Sequence, residues 1–231
     1  MLTGPKSADG GMPLLRLMHL VSPALPIGAY HFSQGLEYAV EAGWIKTEAD
    51  ALQWIEGLAE NALATLDLPL LLRLQAAWQA SDNAAAERLS QRLLAARETA
   101  ELRAEDRHLG RALARVLLDL GIADAEPWLT SDAASHAALF ALAASHWQIP
   151  APDAAAGYIW AWCENQVLAA VKLVPLGQRA GQRVLDHLIK QIPTLIHRAE
   201  SLADDDIGIA TPYHGIACAK HETQYSRLFR S

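Results

Sequence analysis

Apolar residues recur every three or four positions along most of the chain, and no segment sustains a period-two alternation of apolar and polar residues. Leu52, Ile55, Leu58, Ala59 and Ala62 show the spacing, which places all five on one helical face. Helices are therefore predicted throughout, with ends marked by capping residues and prolines. Pro13 opens a helix running to about Val21, because its missing N–H would have no partner in a first turn anyway. Ser33 is the expected cap of a helix through Ala42, with Gly43 as its stop. Thr47 caps the next, with Asp50 at the capping-box position. Asp67 is expected to open another, with Pro69 in its first turn, carrying the chain to Ala80.

Ser81-Asp82-Asn83 is a turn cluster. Ala84 to Leu120 reads as two helices or one bent one, ended by Gly121; Gly110 inside it points to a close helix–helix approach. Further helices are predicted from Ser131 or Asp132 to about Trp147 and from Asp153 to Val174. Another runs from Gly177 to about Leu202, with Pro193 inside it as a kink. Asp204-Asp205-Asp206 suits the start of a final helix or simply solvent. The sum is an all-α, single-domain bundle of about eight to ten helices over residues 12–210. Residues 1–11 read as a disordered N-terminal tail and residues 211–231 as a polar C-terminal tail.

Composition narrows the class. Alanine and leucine dominate and β-branched residues are sparse, which favours helix. Hydrophobic residues make up 52% and charged residues 19% of 231, the balance of a chain that buries a core. A net charge of −7 argues against broad binding to nucleic acid or to an anionic membrane. No run approaches the roughly 18 uninterrupted apolar residues of a membrane helix. The first residues lack the apolar centre of a secretory signal. Cys163 and Cys218 are too few for a disulfide framework, which suits the reducing cytoplasm.

The stretch Leu20 to Glu37, LVSPALPIGAYHFSQGLE, interrupts the helical pattern. Pro23 and Pro26 stiffen it, and Gly28 permits a turn or a close backbone approach. It reads as a shaped, largely apolar connection that positions Tyr30, His31 and Phe32.

Four further groups carry candidate chemistry. Arg103, Arg107, Arg111 and Arg115 recur every four residues on one helix, as an anion-binding ladder or as a solvated face laced with ion pairs. Around AAVKLVPLGQRAGQRVL, Lys172 precedes the Pro175 break, and Gln178 and Gln182 share a face. That is either a polar ledge at an interface or ordinary capping of two abutting helices. HETQYSRLFRS, at His221 to Ser231, places Tyr225, Leu228 and Phe229 among Arg227 and Arg230, the residue types that anchor interfaces. Such a segment either docks on a partner or tucks back onto its own surface. Finally, His214, Cys218 and His221 fall at i, i+4 and i+7, a weak candidate metal face with no evident fourth ligand. No phosphate-binding loop, nucleophile elbow, zinc-protease helix motif or dinucleotide glycine string is present, and Tyr30, His31 and Ser33 lack an orienting carboxylate in sequence.

Three strings resemble the UreF family of urease accessory proteins, in the family's order: SPALPIGAYHFSQGLE, AAVKLVPLGQRAGQRVL and HETQYSRLFRS. ARETAELRAEDRHLGRAL is similar to a middle segment of the family, whereas IATPYHGIAC, Ile209 to Cys218, does not align. The resemblance implies an all-helical, non-catalytic scaffold in the delivery of nickel to urease. Such a protein dimerises and binds UreD (UreH in some organisms). The complex recruits the GTPase UreG, meets the urease apoprotein and passes nickel on without holding it stably. On this resemblance the partner-binding residues are Tyr30, Tyr38, Lys172, Gln178, Tyr225, Arg227, Leu228, Phe229 and Arg230. The tail is expected to order on UreD and to pack near the central turn, with Arg227 tying it there. The competing readings are a helical enzyme or metal-binding protein using His31 or the His214/Cys218/His221 face, and a helical adaptor unrelated to urease.

Overall fold

In a computed structural model, residues 11–208 and 211–231 are described; most of the predicted N-terminal tail, and two residues of the stretch that does not align, lie outside them. The described residues form a bundle of ten α-helices and contain no strand. They are α1 (Met12–Leu20), α2 (Leu36–Glu41), α3 (Glu48–Leu58), α4 (Leu68–Gln79), α5 (Asn83–Ala96), α6 (Ala100–Asp119), α7 (His136–His146), α8 (Ala151–Leu173), α9 (Gln178–Ser201) and α10 (Pro212–His221).

Local signals set many of the ends. Thr47 and Asp50 form the reciprocal capping box of α3. Asp82 caps α5 through Ala85 N–H, and Thr99 caps α6 through Leu102 N–H. Gly43 and Gly121 stop α2 and α6 with φ of 74° and 87°. Pro193 stays within α9.

Two expected starts are displaced, each because the side chain is engaged elsewhere. Ser33 does not cap α2; Gly35 occupies that position, and the Ser33 hydroxyl donates to the main-chain oxygen of Ser231. The next start predicted after Ser131 or Asp132 falls at His136, capped by Ser135. α4 begins directly after Asp67 with Pro69 in its first turn, as expected, but Asp67 does not cap it through its side chain, because α3 continues through a π-helical segment, Ala59–Asp67, into α4. The wider π turns leave more backbone slack than an α-helix, which suits Pro69 beyond them, and Asp67 faces the interior. Part of the predicted tail is helical too, as α10.

The core lies between α4, α7 and α8, with α7 buried on all sides. Gly110 allows the approach predicted for it: a Cβ there would stand 2.7 Å from the Ser135 carbonyl carbon and 2.8 Å from that of Ala134. Gly157 does the same for α1, whose Leu17 would meet a Cβ at 2.5 Å. The Asp204–Asp206 turn is a 3-10 segment, pinned by Arg73 to the Asp204 carboxylate and by Arg92 to its carbonyl.

Candidate functional site

The central turn and the tail form one structure. Gly28 takes φ 78°, and the turn then passes through two consecutive left-handed residues, Gln34 (52°) and Gly35 (78°). Gly35 is required twice: its φ suits glycine, and a Cβ there would lie 2.9 Å from Cys218 Sγ on α10. The cost of the left-handed conformation at Gln34 is offset by its side chain, which donates to Glu105 (2.7 Å) and accepts from Trp162 Nε1 (2.8 Å).

The tail docks on this turn through its backbone. Ser231 O accepts from Ser33 N, Gln34 N and Ser33 Oγ at 2.8, 3.0 and 2.6 Å. Arg230 N–H donates to His31 O (2.8 Å). Glu37 takes Leu228 N–H on one carboxylate oxygen (2.6 Å) and Phe229 N–H on the other (2.9 Å). His221, fully buried, lies between Glu101 (2.8 Å) and Glu37 (3.3 Å). The Ser231 hydroxyl donates to Glu105. Burial raises Glu105 to about 7, against the lowering effect of its bonds from Ser231 and Gln34.

The sequence-predicted residues divide accordingly. Tyr225 and Leu228 project into solvent at 105% and 72% exposure. Phe229 is 7% exposed, with Lys172 Nζ 5.7 Å from its ring centroid. It is therefore an internal anchor in this state, not a surface residue. Arg227 pairs with Glu101 on α6 and not with the turn. Arg230 is exposed. Tyr30 is half exposed and packs on His31 with centroids 3.9 Å apart, while Tyr38 meets Trp44 edge-on at 5.7 Å. Gln178 is exposed at the start of α9. The tail thus packs near the turn, the self-docked alternative of the two.

Glu37, Glu101 and Glu105 seat the tail, a role that no pattern in the sequence marks, although Glu37 closes the string SPALPIGAYHFSQGLE. Trp44, Tyr213 and Ile216 add exposed apolar surface beside α10, and Trp44, Trp54 and Tyr213 line an open groove of about 460 Å³. The arginine ladder is mostly structural. Arg103 donates to Arg97 O, Arg107 to Asp132 O, and Arg111 to Ser131 O and the Asp132 carboxylate.

The candidate metal face does not assemble. His214 Nε2 is 3.4 Å from Cys218 Sγ, but His221 is committed to the two glutamates. Burial lowers His214 to about 4 and holds the Cys218 thiol protonated, well above its ordinary value. Among the described residues no three His, Cys, Asp or Glu side chains are grouped to hold a metal ion. Nor does any helix of the described residues have the length and apolarity to cross a membrane.

Behind the turn lies a cavity of about 140 Å³. Its floor is an ionic network: Arg97 bridges Asp67 (2.5 Å) and Asp106 (2.9 Å), with Tyr158 OH 3.4 Å from Asp67. Burial opposes the charge on Arg97, but the two carboxylates outweigh it and hold its pKa well above the usual value. Asp106 also accepts from His136 N–H (2.7 Å), and burial lowers the His136 ring to about 4.

Comparison with known proteins identifies this architecture. The family model described as UreF matches residues 45–189. The chain is similar to the urease accessory protein UreF of Alkalilimnicola ehrlichii, 51% identical over 96% of this chain and 97% of that one. It is 49% identical to the protein of the same name from an Azoarcus species, over the full length of both. A third, from Hahella chejuensis, is 47% identical over 95% of this chain and 99% of its own. Similarity that runs from the central turn through the docked tail, together with the matched family model, shows that this chain belongs to the UreF family.

Proposed function

We propose that this protein is a non-catalytic cytoplasmic adaptor in urease maturation. It binds UreD/UreH, recruits the GTPase UreG, and presents the assembly to the urease apoprotein, with nickel passing as cargo. The observation that carries the reading is the docked tail. Its backbone is fastened to the turn by Glu37 and by Ser231, while the Tyr225 and Leu228 side chains are exposed. An ordered backbone that displays free aromatic and aliphatic side chains lowers the entropy cost of binding. Exposed Tyr213 and Ile216 on α10 extend that surface. The engagement of His221 by Glu101 and Glu37 favours the adaptor reading over a metal-binding one that would use His214, Cys218 and His221 together.

The adaptor is a homodimer in this reading. Met12, Leu14, Leu15 and Met18 of α1 are each more than half exposed, while Leu17 on the same helix is already used against Gly157. A second copy would cover that face.

Mixing the purified chain with UreD/UreH and UreG on a sizing column tests the proposal. Co-elution of all three is expected, and removal of Thr223 to Ser231 abolishes it. Recruitment that survives the deletion refutes the role given to the tail. Sedimentation of Leu14→Asp tests the dimer, and a variant still dimeric would reject the α1 face.

A further inference from the structure

The cavity behind the turn has walls and a charge balance that no activity discussed so far uses. Its sides are apolar, from Leu25, Leu63 and Leu168, and Tyr30 stands exposed among the lining residues. Its lining includes five carboxylates and, among the described residues, a single guanidinium, Arg97. Arg97 is taken up by Asp67 and Asp106. That leaves Glu98, Glu105 and Glu164 without an ion-pair contact among the described residues. Glu105 has only neutral donors, Gln34 and Ser231. Burial raises the pKa of all three, as expected for carboxylates taken out of water.

An independent feature points the same way. His214 lines both this cavity and the open groove beside α10; it is 6% exposed, and its Nδ1 has no hydrogen-bond partner among the described residues. In the tautomer with the ring proton on Nε2, toward Cys218 Sγ, Nδ1 is a bare acceptor. No three His, Cys, Asp or Glu side chains among the described residues are grouped to hold a metal ion. An elongated organic cation matches this lining of leucines and carboxylates better than a single ion. Its apolar stem would lie on the leucines and its head would donate to several acceptors.

We propose that this cleft receives one basic side chain, arginine or lysine, from a partner protein, its head reaching Glu105 and Glu164. The proposal rests on the adaptor reading only for the partner's existence; the site itself can be probed in the chain alone. The probe is n-butylguanidinium, with 1-pentanol as a neutral match of similar length, read at the indole N–H resonance of Trp162, which lines the cleft. Saturable shifts are expected with n-butylguanidinium, at an affinity about tenfold or more above that of 1-pentanol. Glu164→Gln should weaken binding by about threefold or more, and so should Glu105→Gln. Glu164 is outside the tail seat, so its variant tests the site even where Glu105→Gln loosens the tail.

Equal binding of 1-pentanol would overturn the proposal and leave an apolar pocket. So would affinity unchanged in Glu164→Gln, or nickel chloride displacing the probe at lower concentration than the probe itself binds. Loss of UreD/UreH or UreG binding elsewhere would refute the adaptor reading and leave this titration untouched.

Discussion

The carboxylate of Glu37 accepts the backbone N–H of Phe229, 192 residues further along the chain, at 2.9 Å. Its other oxygen takes Leu228 N–H. One side chain on a six-residue helix therefore holds the tail against the bundle. Hydrogen bonds to a charged acceptor contribute more than neutral ones, so Glu37→Ala should cost about 3 kcal/mol and lower Tm by about 6–12 °C. Glu37→Gln, which keeps one acceptor, should cost about half of that. Limited trypsin digestion would report the release as faster cutting at Lys220, Arg227 and Arg230. Unchanged digestion in Glu37→Ala would show that the tail is held by other contacts.

Arg97 makes the opposite kind of prediction. It neutralises Asp67 and Asp106, which are almost wholly buried. Arg97→Met strands both carboxylates and should cost about 3–5 kcal/mol. Adding Asp67→Asn and Asp106→Asn to the same chain should restore much of the loss, because the charges are then gone. Urea denaturation of the single and triple variants decides it.

Two glycines should respond in opposite directions to alanine. At Gly110 the new Cβ would meet the backbone of Ala134 and Ser135 within 2.8 Å, so α6 must shift and stability should fall by about 1–3 kcal/mol or more. At Gly57, near the end of α3, nothing lies within 4 Å of that Cβ. Gly57→Ala should stabilise by about 0.5–1 kcal/mol, through helix propensity and a less mobile unfolded chain. Thermal melts of the two variants give the signs.

Stability against pH should carry two opposed contributions. Glu105 moves from an ordinary 4.5 to about 7 on folding, through burial. The folded state then binds the extra proton, so this contribution is fully present below 4.5 and is lost as pH rises through about 7. His136 and His214 move from 6.5 to about 4, again through burial. Their contribution is present above 6.5 and is lost as pH falls through about 4. Glu105→Gln removes only the first. Its stability relative to wild type should therefore rise between about pH 5 and about pH 8, and a difference that stays flat would show that Glu105 titrates normally.

What was legible in the sequence was local. The cap at Thr47, the turn at Ser81–Asn83, the stops at Gly43 and Gly121 and the tight approach at Gly110 depend on neighbouring residues or on size alone. Asp67 stands at the start that Asp-x-Pro marks, but it makes no cap; its side-chain partner, Arg97, is 30 residues away. Ser33 misled, since its hydroxyl serves Ser231, 198 residues distant. His221 was visible as one of three residues on a helical face, but periodicity cannot show that Glu37 and Glu101 enclose it. Long-range pairing also explains Phe229 and Arg227. Their residue types mark an interface, and nothing in the string shows that the first interface is with their own chain.

The adaptor account is tested most directly by the affinity of the purified chain for purified UreD/UreH, measured by titration calorimetry on wild type and on Tyr225→Ala/Leu228→Asp. Both side chains are free of the bundle, so the double variant should melt with wild-type Tm. The predicted result is binding weakened by about tenfold or more. Wild-type affinity in that correctly folded variant would contradict the account.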